Sequence, residues 1–339
     1  ALSLLPAAAG AQDRSQDKGQ DKGQVNVVCS VQADWCGMIQ TVFTRSTGIR
    51  VNLSMRGSGE ALAQLTAERA NPKTDVWYGG THDPHLQAAN EGLLQPYVSA
   101  NMKEQYPWSA DLLAKSGNQV AGIYRITLGF GYNRELLAKK NQKPPACWSD
   151  LVKPEYVGEI ETSSPATSGT AYTILATVVQ LMGEDRAFDY LRALHKNVNR
   201  YTTSGTAQRQ SVSRGESLIG VTFLDEFIPE QHVGAPVETV LPCEGTGYSV
   251  GAMSIAKGAR NLAEAKKFYD WALTAEAQTI RDQTKVIAIP SNRSAYAPEP
   301  VKALEKAKLI NYDFVKYGSS AERKRLIDRW DREVRSAPR

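Results

Sequence analysis

The chain has 339 residues, and its 40 Lys and Arg against 36 Asp and Glu leave a formal net charge of +4. With 42% hydrophobic residues it can bury a large core, and its length suggests two folded lobes rather than one. The near-balanced charge, with no basic block interleaved with aromatics, excludes a nucleic-acid footprint. Nothing beyond the N-terminus reaches the ~18 apolar residues that a membrane span needs.

Residues 1–11 read as the remnant of a secretory signal, an apolar run that closes on the small-residue pattern Ala9-Gly10-Ala11. No Cys follows it, which argues against a lipid anchor. Residues 12–24, QDRSQDKGQDKGQ, repeat Gln-Asp-Lys-Gly without an apolar side chain and are expected to form a disordered linker. Val25 to Val28 is then a short β-branched strand. Trp35, Met38, Ile39, Val42 and Phe43 recur at helical spacing until Gly48, and Ile49 to Leu53 is a second strand. The turn GSGE opens another helix, Asp75 to Tyr78 is a third strand, and Gly79-Gly80-Thr81-His82-Asp83-Pro84 leads into a third helix. Such alternation predicts an α/β architecture with a mainly parallel sheet, because parallel neighbours need crossover helices.

A second unit follows from the strand around Ile126 to Tyr132. It comprises a helix from Asn133 to Lys140, a strand Gly158 to Glu161, helices Gly169 to Leu181 and Asp185 to Lys196, and a strand Ser217 to Thr222. After Pro242 the stretch GYSVGAMSIAKGARN reads as a strand crossing back, followed by an amphipathic helix bearing Phe268 and Tyr269. The expected organisation is one lobe from residues 25–122 plus about 248–295, a second from 123–247, and C-terminal helices over 296–339 packing on both. The charges of SSAERKRLIDRWDREV are read as a solvated helix face.

The four cysteines, Cys29, Cys36, Cys147 and Cys243, are even in number and fit an oxidising compartment, although four allow three pairings. Cys29 to Cys36 and Cys147 to Cys243 is the expected set, since Cys29 ends a strand and Cys36 lies in the next helix; four reduced, buried thiols are the alternative.

Polar, glycine-rich turns recur at the strand-to-helix junctions: Ser30 to Asp34, Gly57-Ser58-Gly59, Gly79-Gly80-Thr81, and Thr167-Ser168-Gly169-Thr170. Thr202-Thr203-Ser204-Gly205 and Glu244-Gly245-Thr246-Gly247 complete the set. Helix capping alone accounts for any one of them. Jointly they fall on one edge of an open sheet, where the amides of helix N-termini favour an anion. Two enzymatic signatures are missing: there is no phosphate loop ending in Gly-Lys-Ser or Gly-Lys-Thr, and no Cys-x-x-Cys metal set. His82 and His85 could be metal ligands by spacing, but a capped helix start explains them as well.

The runs VVCSVQADWCGMIQTVFTRSTGI, RGSGEALAQLTAERANPKTDVWYGGTHDPHLQAANEGLL, SSPATSGTAYT and CEGTGYSVGAMSIAKGARNLAEAKKFYDWALTAEAQ resemble ABC-transporter solute-binding proteins of the ferric-iron-binding type, over nearly everything from Val25 to Val334. The resemblance implies a type II periplasmic binding protein fold, with two α/β lobes, a hinge and closure on a ligand in the cleft. It implies a periplasmic monomer that delivers its ligand to an ABC-transporter permease without a cofactor, catalysis, nucleic-acid binding or membrane insertion. The chain looks closer to the branch linked to hexose phosphates than to the iron binders, whose adjacent tyrosine pair is missing here. That branch carries a His-Asp pair where this chain has Asp225-Glu226, and an acid where it has Glu244. The extra carboxylate would repel a nearby phosphate, so a zwitterionic aminoalkylphosphonate stays open beside a sugar phosphate.

The expected ligand-binding set is Ser30, Gln32, Ser58, Gly59, Gly80, Thr81, Thr167, Ser168, Gly169, Thr170, Thr203, Ser204 and Tyr248, with Asp225, Glu226 and Glu244 reading the non-phosphate part. Two other functions compete with an organophosphate receptor. One is ferric iron held by His or carboxylate groups, and the other a secreted phosphate-ester hydrolase with Asp225 or Glu226 as general base.

Overall fold

The computed structural model describes residues 23–284 and 287–338. The expected signal remnant, residues 1–11, and nearly all of the expected linker lie outside the described residues; Gln24, at the linker's end, already belongs to the first strand. The strands are β1 (Gln24–Cys29), β2 (Arg50–Met55), β3 (Val76–Thr81), β4 (Leu94–Gln95), β5 (Ala121–Asn133) and β6 (Ile160–Ser163), then β7 (Val198–Thr202), β8 (Ile219–Phe223), β9 (Val237–Val240), β10 (Tyr248–Ala256) and β11 (Ile289–Pro290).

They run in the order β2-β1-β3-β10-β5-β8-β6-β7, with β4 on β10 and both β9 and β11 on β5. Strand β5 belongs to two half-sheets. Its first part, through Thr127, pairs with β10, and its remainder from Leu128 pairs with β8 and β9. The outer neighbours β1–β2, β1–β3, β6–β7 and β6–β8 are parallel, as the alternating pattern predicts. The centre is not: β10 runs antiparallel to both β3 and β5, and β5 antiparallel to β8. The sheet is therefore mixed, because the chain crosses between the halves along β5 and returns along β10, and a return strand laid beside an outgoing one is antiparallel.

Each half is covered by helices whose apolar spacing is plain in the sequence. The helix Ala33–Thr47 buries Trp35, Cys36, Ile39 and Phe43 on one face, and it stops at Gly48, whose φ of 74° suits glycine. Its Phe43 meets Phe268 from the helix Leu262–Ala272 at 5.0 Å between ring centroids. That returning helix is pinned to the first half by Asp75, which is fully buried and accepts hydrogen bonds from the backbone of Asn26 and from both the backbone and side chain of Asn261. In the other half the helix Gly169–Met182 is buried continuously from Ala171 to Val179, as expected of a helix apolar on all faces.

The structure closes Cys29–Cys36 and Cys147–Cys243 as disulfides, with no free cysteine among the described residues. After Pro298 the chain runs over both halves as a strap. Thr246 N–H donates to Lys308 O, and Ile310 N–H donates to Thr246 O. Phe314 lies 4.3 Å from the His82 ring of the first half, while the Tyr172 hydroxyl of the second half donates to Tyr317 O. The helix Ser320–Trp330 then docks on the second half.

Candidate functional site

The polar turns converge. In the first half, β3 carries Gly79 and Gly80, both at positive φ, just before its last residue Thr81, and a Cβ on Gly80 would fall 2.3 Å from Ser58 Oγ and 3.0 Å from Ser30 Cβ. Only glycine lets the three turns approach this closely. Thr81 N–H donates to Ser58 Oγ at 3.3 Å, and Trp77 Nε1 donates to Ser30 Oγ at 2.9 Å.

The second half repeats the device. A Cβ on Gly205 would fall 2.2 Å from Thr170 Oγ1 and 2.9 Å from Ser168 Oγ. Ser168 caps the helix Gly169–Met182 by accepting from Ala171 N–H, and the other amides of that first turn have no acceptor within the helix.

Between the two sets lies a cavity of about 590 Å³. Ser58, Gly59 and Thr81 line it from one half, and Thr167, Ser168, Gly169, Thr170, Thr203 and Ser204 from the other. Another cavity, of about 550 Å³, sits at the outer edge beside Glu68, Arg69 and Lys257, away from these turns. Ligands of open α/β sheets are held beyond the strand ends where glycine-rich turns gather, so the first cavity is the candidate site.

A model of the bacterial extracellular solute-binding proteins matches residues 71–317. The chain belongs to that family. An uncharacterized protein of Haemophilus influenzae is 44% identical over 313 residues, 92% of this chain and 90% of its own. The solved periplasmic binding protein AfuA from Actinobacillus pleuropneumoniae, with exogenous fructose-6-phosphate bound, is 42% identical, with a TM-score of 0.83 over 93% of this chain and all (100%) of its own. Iron-bound HitA from Pseudomonas aeruginosa shares the fold at 21% identity, with a TM-score of 0.78 over 90% of this chain and 98% of its own. This solute-binding protein has the type II periplasmic binding fold, two α/β lobes with the cleft between them.

The remaining candidates of the solute-binding protein stand outside the cavity wall. Ser30 and Gly80 are packed directly behind Ser58, and Gln32 is exposed at the N-cap of the helix Ala33–Thr47. Tyr248, at the start of β10, is flanked by Arg125 at 5.9 Å and Phe314 at 5.2 Å. Glu244 caps a short helical turn: its carboxylate accepts from Trp148 N–H at 2.8 Å and Ser149 N–H at 2.9 Å. Burial raises its pKa, but these amides outweigh burial and hold the carboxyl below its usual range.

Asp225 is buried at the junction of the half-sheets, where Oδ2 accepts from Thr127 N–H at 3.1 Å and Oδ1 has no hydrogen-bond partner among the described residues. Burial pushes its carboxyl up to about 8, against the pull of the Thr127 amide. Burial also raises Glu226, while Arg209, 3.5 Å away, draws it back. A general base must reach its substrate, and neither Asp225 nor Glu226 lines the cavity.

His85 is a core residue, stacked on Trp77 with 3.6 Å between ring centroids and bonded to Ser254 Oγ and Gly79 O; burial lowers its pKa to about 3, so it is neutral. His82 Nε2 pairs with Asp83 Oδ1 at 3.0 Å. Among the described residues, the one group of potential metal ligands that converges is Cys147, Cys243 and Glu244, and its two sulfurs are tied in a disulfide.

Five contributors to the wall were not anticipated from sequence: Asp83 and Gln87 on the helix His82–Asn90, and Gly318, Ser320 and Arg323 from the C-terminal segment. Asp83 lies in a turn whose glycines drew attention, so its position was one residue-step from being read. For Arg323 no local signal exists. The helix read as a solvated charged face is also ion-paired. Arg325 and Arg329 bind Glu184 at 2.7 Å each, and Arg323 turns to the cavity.

Proposed function

We propose that this chain is the periplasmic binding component of an ABC importer and that it captures a small organophosphate, a sugar phosphate or a phosphonate, between its lobes. The observation that carries the reading is the cavity itself, walled by hydroxyls and helix-start amides from both halves. Such groups bind an anion through neutral donors and the partial positive charge of helix ends. The fructose-6-phosphate bound to AfuA, at 42% identity, supports the same ligand class. On this reading residues 25–122 with 248–295 form one lobe, 123–247 the other, and 296–339 pack across them. A ligand touching both lobes binds the closed arrangement better than the open one and shifts that equilibrium, which presents the closed shape to a membrane permease.

Gly169→Glu tests the reading cleanly. A Cβ at Gly169 meets no heavy atom within 4 Å, so a side chain can start there without displacing its neighbours. A carboxylate in the first turn of a helix is also favourable to the helix. The new charge would nonetheless face an anionic ligand about 4 Å away, where like charges at a protein surface cost about 4 kcal/mol. Calorimetric titration with fructose 6-phosphate, other hexose phosphates and aminoalkylphosphonates is expected to show affinity falling by about 100-fold or more, with the unfolding temperature unchanged. Undiminished binding would place the anion elsewhere. A thermal-shift response of the wild-type protein to ferric citrate, with none to any phosphorylated compound, would overturn the organophosphate reading outright.

A further inference from the structure

We propose that Arg323 is a specificity-determining residue of this site, a guanidinium delivered from the C-terminal helix to the ligand's anionic group. The inference rests on the organophosphate reading and adds to it a residue outside the 71–317 span that the family model matches.

Among the described residues lining the cavity, Arg323 is the one that carries a full positive charge. Its neighbours on the same helix are fully engaged. Arg325 is held by Glu184 and Glu322, and Arg329 by Glu184, Asp185 and Glu333. Arg323 has no hydrogen bond or ion pair from its side chain to any described residue. Its guanidinium instead lies over the Tyr172 ring, with Cζ 4.4 Å from the centroid. Stacking of this kind fixes the plane of a guanidinium while leaving its N–H groups, which lie in that plane, free to donate.

The helix that presents it is anchored. Leu326 and Trp330 are buried, and the Glu184 and Asp185 ion pairs tie it to the start of the helix Glu184–Asn197, so Arg323 belongs mechanically to the second half. Across the cavity stands Asp83 of the first half. Burial raises its carboxyl, but His82 foremost and Arg323 after it outweigh that and hold it ionised. An ionised Asp83 alone would repel a phosphate; Arg323 offsets that charge and presents donors to the oxyanion. A planar fork suits a tetrahedral oxyanion better than a neutral hydroxyl does, so the residue favours phosphorylated over unphosphorylated ligands.

The test is titration of fructose 6-phosphate and inorganic phosphate into the wild-type protein and the Arg323→Ala and Arg323→Lys variants, at low and at high salt. Gly169→Glu serves as the control for the amide site. Removing a charge-assisted contact is expected to weaken binding by roughly 10- to 100-fold in the Ala variant. Lys should restore part of it, and the salt dependence of affinity should be shallower in the Ala variant than in the wild type. The unfolding temperature should hardly move, since the guanidinium makes no hydrogen bond or ion pair with any described residue and only stacks on Tyr172. If Arg323→Ala binds as tightly as wild type, with the same salt dependence, while Gly169→Glu loses affinity, Arg323 is a bystander and the organophosphate reading stands. If the wild type binds neither probe nor any phosphonate, both fail together.

Discussion

Replacing Cys147 and Cys243 together by serine is expected to lower the free energy of unfolding by about 4–5 kcal/mol, the loop-closure value for a cross-link spanning about 100 residues. The two cysteines stand 96 residues apart, and the intervening chain supplies β6, β7, β8 and β9 together with the helix Gly169–Met182. Cutting the bridge frees that whole stretch in the unfolded state. It also loosens a junction in the folded one, because Cys243 N–H donates to Ala146 O and the adjacent Glu244 caps the turn at Trp148 and Ser149. The Cys29–Cys36 bridge closes a separation of only 7 and should matter less, costing about 2.4 kcal/mol on the same scaling. Urea unfolding of the two double-serine variants beside the oxidised wild type measures both. Equal losses would mean that chain entropy does not govern these bridges.

Asp225→Asn is expected to stabilise the protein at pH 7.5, and by an amount that depends on pH in a defined direction. Burial raises the folded carboxyl from its ordinary value of 3.8 to about 8. Between those values the folded protein keeps a proton that the unfolded chain has released. Stability from this group is therefore complete below the unfolded pKa and declines as pH rises, by about 1.4 kcal/mol per unit, until the folded carboxyl itself ionises. Asparagine resembles the protonated acid and still offers an oxygen to Thr127 N–H. The difference in unfolding free energy between variant and wild type should thus widen steadily from pH 5 to pH 7.5, by about 3 kcal/mol in all. Parallel stability curves would show that Asp225 is ionised when folded, with Arg125 as its counter-charge.

Much of the fold was legible because its elements satisfy local and global demands at once. Trp35, Ile39 and Phe43 mark the buried face of the helix Ala33–Thr47, and Gly48 marks its end. The return strand β10 is buried over nearly its whole length, and its near-continuous apolar run in the sequence announces that. Strands β7 and β9 were not anticipated. In β7 the exposed Asn199 and Arg200 break any alternation, and β9 is four residues long with three of them only partly buried. Both depend on partners supplied from elsewhere, β6 for the one and β5 for the other.

The candidate site divides in the same way. Its glycines and hydroxyls were visible because close approach requires those residue types at Gly80 and Gly205 whatever the ligand is. Acids are less informative, since a carboxylate in a loop serves equally to bind a ligand or to cap a turn, as Glu244 does. Arg323 carries no periodic or motif signal at all. Only the docking of its helix on Glu184 decides which way it faces.

The strap that follows Pro298 has a consequence for how the molecule comes into being. Chains are made and exported from the N-terminus onward, and here Tyr312 and Phe314 pack near His82 while Gly318 and Ser320 wall the cavity. Both α/β units can be assembled and the pocket still lack a side. A chain that lacked the final segment would leave the cavity without Gly318, Ser320 and Arg323.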